Sequence, residues 1–161
     1  RGGNRIREML GSRVHINLTS YNRQVLLTGE VPTQKDKDYA NQLISQVENV
    51  RAVVNELAVA PTSSLSDRSM DALISGKVKA SMVDSKDIFA NAFKVVTERG
   101  TVYLMGRVTQ REAQRATDLA RQVSGVKKVV RVFDILTEEE LQALLPPPPK
   151  NAAPATSSEA K

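Results

Sequence analysis

The chain has 161 residues, of which 40% are hydrophobic and 25% charged, and it carries a formal net charge of +5. This composition suits a soluble globular protein, and no apolar run is long enough to cross a bilayer. The absence of cysteine excludes disulfides, thiol catalysis and cysteine-ligated metal sites.

The positive charge is concentrated in the second half of the chain. Residues 61–133 contain 13 Lys/Arg and 7 Asp/Glu, whereas residues 1–60 contain 8 and 6. A basic surface favours an acidic partner, and anionic lipid, nucleic acid and an acidic protein all fit this description.

The first half predicts a small unit of helices and strands. A short stretch with apolar spacing at 6–10 comes first, followed by a strand in which Val14, Ile16 and Leu18 share one face. The later elements are a turn at 22–23, a strand at 24–31, a helix capped by Thr33 with Asp36 in its first turn, and a strand at 50–59.

The second half predicts the same kinds of element after a polar linker at 61–64. These are a long helix at 66–83, strands at 92–98 and 101–108 joined by a turn at 99–100, and a helix ending at 123 that opens with a Thr109–Glu112 capping box. A strand at 126–135 and a short helix up to 145 complete the unit. The proline-rich segment at 146–161 is expected to be a stiff spacer with a disordered end.

The two halves repeat each other in sequence. VLLTGEV at 25–31 corresponds to VYLMGRV at 102–108, and QVENVRAVV at 46–54 corresponds to QVSGVKKVV at 122–130. We therefore predict an α+β protein with two tandem modules, each a small mixed three-stranded sheet covered by two helices in the order helix–strand–strand–helix–strand. The expected boundaries are 1–60, 61–145 and a tail at 146–161, and modules this small are expected to pack on each other.

The repeat offset leaves the first module without a full counterpart of the long helix at 66–83. Either this module has a shorter first helix, or the chain begins partway through it. The opening residues Arg1–Gly3 do not resemble a natural start, so we expect any targeting segment to lie outside this chain.

Catalytic patterns are not apparent in the sequence. The single histidine, His15, has no grouped partner residues and is predicted to be a surface residue, with no metal site around it. Gly29 and Gly106 precede helices without a phosphate-binding motif, so we interpret them as bulges or points of close backbone approach. The chain is therefore predicted not to be an enzyme and to need no cofactor.

The long helix at 66–83 is the best candidate for a binding surface. Met70, Ile74, Val78 and Met82 form a stripe expected to be buried, whereas Leu73 lies on a flank. That flank is shared with Gly76, Lys77 and Ala80, which makes it a shallow membrane-interface surface, with Lys79 and Lys86 adding attraction to anionic headgroups. The alternative is a solvated amphipathic helix.

Nucleic acid is the competing partner for a basic module of this kind. The sequence lacks a GXXG loop, and only 4% of its residues are aromatic, so few side chains could stack on bases. We therefore expect no nucleic-acid partner.

Several strings resemble a known family. The order strand, glycine, helix and VSGVKKV at 123–129 resembles BON modules, and two such modules cover about 4–135. The segments 14–21, 25–29, 94–113 and 121–129 are similar to the dual BON-domain lipoproteins of Gram-negative outer membranes.

The resemblance implies a non-enzymatic envelope protein on the periplasmic face of the outer membrane, lipid-anchored at its N-terminus, that supports membrane integrity. It also implies that the first helix of the second module binds anionic phospholipid of the phosphatidylglycerol or cardiolipin type. Where the family projects an aromatic residue toward lipid, this chain has Leu73. The expected lipid-binding residues are Met70, Leu73, Ile74, Gly76, Lys77, Lys79 and Ala80.

Two further expectations concern partners. The lipid-modified cysteine of the family is absent from this chain. We expect the chain to be a monomer. The alternative function is an envelope scaffold that uses the same helical flank to bind another protein.

Overall fold

The computed structural model describes residues 14–144. The predicted stretch at 6–10, the question of a shortened first helix and the proline-rich tail lie outside these residues. In the first module the elements are β1 (His15–Tyr21), β2 (Gln24–Val31), α1 (Gln34–Ser45), β3 (Ala52–Asn55) and β4 (Ala58–Val59).

The second module begins with the long helix α2 (Leu65–Asp84), which is followed by a single 3-10 turn (Ala90–Ala92). Its remaining elements are β5 (Lys94–Glu98), β6 (Thr101–Thr109), α3 (Gln110–Arg121), β7 (Lys128–Leu136) and the short helix α4 (Glu138–Leu144).

Both modules have the same sheet topology, which confirms the predicted duplicated α+β fold. The central strand, β2 or β6, pairs antiparallel with the strand before it and parallel with the strand after the helix. The strand predicted at 50–59 is divided into β3 and β4, both parallel to β2. At the break, the Asn55 side chain accepts a hydrogen bond from the backbone N–H of Leu57, while the Glu56 N–H still bonds to Leu27 of β2.

The predicted caps and turns form as expected. Thr33 accepts a hydrogen bond from the Asp36 backbone and starts α1. Thr109 and Glu112 form a reciprocal capping box at the start of α3. Asn22 and Arg23 adopt positive φ angles, which suit the tight turn between β1 and β2.

Within residues 14–144, the first sheet packs α1 and the second sheet packs α2 and α3 on one face, and the two sheets meet through their opposite faces. On the helix side, Leu27 and Ile44 belong to the first core, and Leu104 and Val78 belong to the second. On the opposite face, a third cluster joins the two sheets through Leu26 of β2, Tyr103 and Met105 of β6, and Val132 of β7. The expectation that the modules pack on each other is therefore confirmed.

Desolvation at this interface has a chemical consequence. Tyr103 is only 7% exposed, and burial, assisted by the charges of Glu56 and Glu98, raises the pKa of its phenol to about 12. The phenol therefore keeps its proton well above the pH at which an ordinary tyrosine, with a pKa of 10.0, ionises.

Candidate functional site

Helix α2 has two chemically different sides. Its inner side packs Ile74, Val78 and Met82 against the second sheet, each at most 2% exposed. Its outer side, here called the α2 outer face, consists of the exposed residues Leu65, Ser69, Met70, Leu73, Gly76, Lys77, Ala80 and Val83. Between Asp67 and Asp84, no exposed position of this helix carries an acidic side chain. A solvated helix usually places charged residues on its exposed side, so this surface is unusually apolar.

Five of the predicted binding residues lie on this face: Met70, Leu73, Gly76, Lys77 and Ala80. Leu73 is 52% exposed, and Gly76, Lys77 and Ala80 are exposed beside it. The sequence therefore identified a contiguous exposed surface with an apolar side chain and one cation.

The structure corrects the role expected for Met70. It is 56% exposed and does not support the helix from below. The reason is geometric, because i+4 steps rotate by about 40° around a helix and carry the end of the stripe away from the sheet. Met70 joins the outer face, beside a groove that Asp67, Arg99 and Lys127 also line.

Ile74 and Lys79 are not available to a surface ligand in the expected way. Ile74 is 2% exposed and packs near Gly125, so it supports the helix and does not belong to the outer face. The Lys79 ammonium donates a hydrogen bond of 2.8 Å to the Phe93 carbonyl. Its charge is thereby held against the protein, which leaves Lys77 as the exposed cation of the outer face.

Helix α2 is fixed to the sheet by polar contacts as well as by packing. The Asp71 carboxylate accepts hydrogen bonds from the backbone N–H groups of Arg99 and Gly100, at 2.9 and 3.0 Å. The Ser75 hydroxyl donates to the Thr97 hydroxyl at 2.7 Å. Asp71 is 6% exposed, and its part in holding the helix was not predicted. The available signal was an acidic residue next to Met70 and one turn before Ile74 of the apolar stripe.

An exposed aromatic residue, also missed in the sequence, follows α2. Phe89 is 66% exposed, and the segment before it is held by an ion pair of 3.1 Å between Asp87 and Arg115. Hydrogen bonds to Asp87, chiefly from Ser85, lower the pKa of this carboxyl and keep it charged.

The prediction that His15 is a plain surface residue is wrong. Its Nδ1 lies 2.7 Å from Oε2 of Glu30, which is fully buried. The two residues are direct cross-strand partners of β1 and β2. The alternation of β1 was predicted correctly, but its polar face lies toward the second module, so that His15 is partly buried while Asn17 stays exposed.

A second carboxylate joins this pair from the other module. Glu98 of β5 is 7% exposed and accepts hydrogen bonds from Asn17 and from Thr28, the latter at 3.2 Å. Desolvation raises the pKa of Glu98, and the nearby charge of Glu30 adds to the effect. The prediction of no ligand group around His15 is therefore also wrong, because donor atoms of His15, Glu30 and Glu98 lie within 4.8 Å of one another.

Comparison with known proteins matches both halves of the chain to one family. The BON domain model matches residues 4–61 and 70–137. Within residues 14–144, none of the helices combines the length and apolar character required to cross a membrane.

Curated relatives include three bacterial proteins. The chain is 44% identical to an outer membrane lipoprotein DolP of Haemophilus influenzae over 75% of this chain and 63% of that protein. It is 32% identical to a 21 kDa hemolysin of Actinobacillus pleuropneumoniae, over 78% and 64% respectively. It is 30% identical to the osmotically-inducible protein Y of Escherichia coli, over 71% and 58%. The chain thus spans less than two thirds of the length of each.

Proposed function

The chain belongs to the BON-domain family, and from this premise we propose that it is a non-enzymatic envelope protein that docks on anionic phospholipid through the α2 outer face. The name of the Haemophilus relative supports a place at the outer membrane. By the family resemblance, that place is the periplasmic face, and the role is support of outer-membrane integrity.

The observation that carries the lipid proposal is the composition of the α2 outer face. Three apolar residues of this face are largely exposed: Leu73 is 52% exposed, Met70 56% and Val83 67%. Inserting the exposed half of one such side chain into the acyl boundary contributes about 1 kcal/mol. The exposed acidic residues of this helix, Asp67 and Asp84, lie near its two ends, so the middle of the outer face around Leu73 and Lys77 carries no charge that repels an anionic headgroup.

Lys77 supplies the electrostatic part of the interaction. It is exposed next to Leu73 on the same helix, and a lysine near an anionic leaflet contributes about 1 kcal/mol. Contributions of this size predict weak docking on phosphatidylglycerol or cardiolipin that weakens as salt is added.

The rigidity of the helix supports docking without rearrangement. Hydrogen bonds from Arg99 and Gly100 to Asp71 and from Ser75 to Thr97 fix α2 on its sheet. The outer face is therefore formed before lipid arrives, and binding orders only a few side chains.

The test is an NMR titration of the labelled chain with phosphatidylglycerol micelles, with zwitterionic micelles as the control. Shifts are expected along Leu65–Asp84 with the anionic micelles alone. Leu73→Asp should remove them while leaving the spectrum of the fold unchanged. Gln42→Asp is the matched control, because it makes the same charge change at an exposed position of α1.

Undiminished micelle binding by Leu73→Asp would refute the site. If the wild-type chain gives no shifts with either micelle, the lipid proposal fails. The same surface would then be tested for an envelope protein partner by pull-down, with Leu73→Asp as the negative control.

A further inference from the structure

We propose that His15, Glu30 and Glu98 form a zinc-binding site that bridges the two modules. This site lies between the sheets and is separate from the α2 outer face. It uses two residues of the first module and one of the second, so a bound ion would connect the modules directly.

The donor set is suited to zinc. One imidazole and two carboxylates are three ligands of the kind found in zinc sites that keep a fourth position for water. Their donor atoms already lie within 4.8 Å of one another. Tetrahedral zinc with ligands at about 2.0–2.2 Å holds its donors roughly 3.5 Å apart, so the widest pair must close by about 1 Å.

The charge at this position favours a cation. Glu30 is fully buried and Glu98 is 7% exposed, so two carboxylates share a region of low dielectric with a single histidine. Two charges of the same sign are costly to hold together there. A divalent ion with neutral His15 would balance both carboxylates.

Neighbouring side chains position the ligands. Asn17 donates a hydrogen bond to Oε1 of Glu98. Oε1 of Glu30 accepts a hydrogen bond of 2.8 Å from the Ser63 backbone. Outer contacts of this kind orient ligands in protein metal sites.

The cluster also has a route to solvent. His15 and Glu98 line a cleft of about 450 Å³ between the modules, together with Asn17, Arg68, Asp71 and Ser75. Within residues 14–144, both side-chain hydrogen bonds of Glu98 end on Oε1. Oε2 of this carboxylate is therefore left for an ion that enters through the cleft.

The ligand types favour zinc over calcium and magnesium. Calcium and magnesium prefer all-oxygen sites with six or more ligands. An imidazole nitrogen with two carboxylates binds a later transition metal more tightly, and zinc stands near the top of that order.

The test is calorimetric titration of the untagged, chelator-treated chain with ZnCl₂, paired with thermal unfolding. We expect one Zn²⁺ per chain and a melting temperature that rises with zinc and returns after EDTA. His15→Gln and Glu98→Gln should each weaken binding by about 100-fold and abolish the rise. Glu48→Gln, an exposed glutamate of the first module, should leave both unchanged.

The visible absorption of bound Co²⁺ distinguishes the loss of a metal ligand from a general loss of folding in the variants. Co²⁺ bound in place of zinc should give visible absorption of a four-coordinate site in the wild-type chain and in Glu48→Gln. This absorption should be absent in Glu98→Gln. Thermal unfolding of this variant without metal is the control that it is folded. No saturable zinc binding by the wild-type chain, or full binding by His15→Gln or Glu98→Gln, would overturn the proposal.

Discussion

At the scale of single residues, Glu98 is a carboxylate that lies between the two modules and is only 7% exposed. Its pKa is raised above the ordinary 4.5, chiefly by desolvation. The folded state therefore holds the proton more tightly than the unfolded chain does. The contribution of protonated Glu98 to the free energy of unfolding is complete below pH 4.5, and it is lost as the pH rises through the raised pKa.

The raised pKa of Glu98 predicts how Glu98→Gln changes the thermal stability of the chain. In the presence of EDTA, we expect the variant to melt at a higher temperature than the wild-type chain at pH 7, because it removes a buried charge and keeps an acceptor for Asn17. The difference should shrink as the pH is lowered toward 4. Thermal unfolding across this pH series measures it, and a gap that widens at low pH would contradict the assignment.

Gly29 is a second position where one residue decides local structure. Its φ is +116°, and an added Cβ would lie 1.9 Å from the carbonyl oxygen of His15 on the neighbouring strand. Gly29→Ala should therefore destabilise the chain by roughly 2 kcal/mol or more. Gly76→Ala is the control for urea denaturation, since that position is open and helical, and equal losses in the two variants would refute the steric account.

At the scale of elements, the two sides of α2 differ in function: the inner side packs on the second sheet, and the outer face is the proposed lipid-binding surface. The inner side is held by Ile74, Val78 and Met82, and by the contact of Asp71 with the β5–β6 turn. Asp71→Ala should destabilise the protein by about 1–3 kcal/mol, because two backbone donors lose their partner. Hydrogen exchange at Arg99 and Gly100 should speed up, and unchanged exchange there would contradict this role.

Lys77→Gln separates electrostatic attraction from apolar insertion on the same helix. It should weaken docking on anionic vesicles by about fivefold and reduce the salt dependence, because about 1 kcal/mol of attraction is lost. Lys79→Gln is the informative comparison, since Lys79 is held by Phe93 and should contribute less to vesicle binding. Co-sedimentation at two salt concentrations measures both, and a larger loss with Lys79→Gln would reverse the assignment.

At the scale of the whole molecule, the sheets meet face to face through Leu26, Tyr103 and Met105. Leu26 is fully buried, so Leu26→Ala should cost about 2–4 kcal/mol. Small-angle scattering of Leu26→Asp should show a larger radius of gyration, because a charge placed between the sheets favours separated modules. A compact Leu26→Asp with wild-type stability would argue against this interface.

The sequence alone determined the duplicated unit, its strand alternation and its caps, because these depend on local spacing and backbone chemistry. The repeat identified β2 and β6 as corresponding strands of the two modules, and Thr33 and Thr109 marked where their helices begin. It also identified the flank of Leu73, since helical geometry fixes which side chains share a face.

Tertiary structure alone decided what each face meets. The polar residues of β1 have the period of a solvated strand whether water or a second sheet covers them, so His15 could not be distinguished from a surface residue. Glu98 lies 83 residues further along the chain, and only the packing of the two modules brings it to His15 and Glu30. Packing within the second module likewise decides that Lys79 bonds to the Phe93 carbonyl.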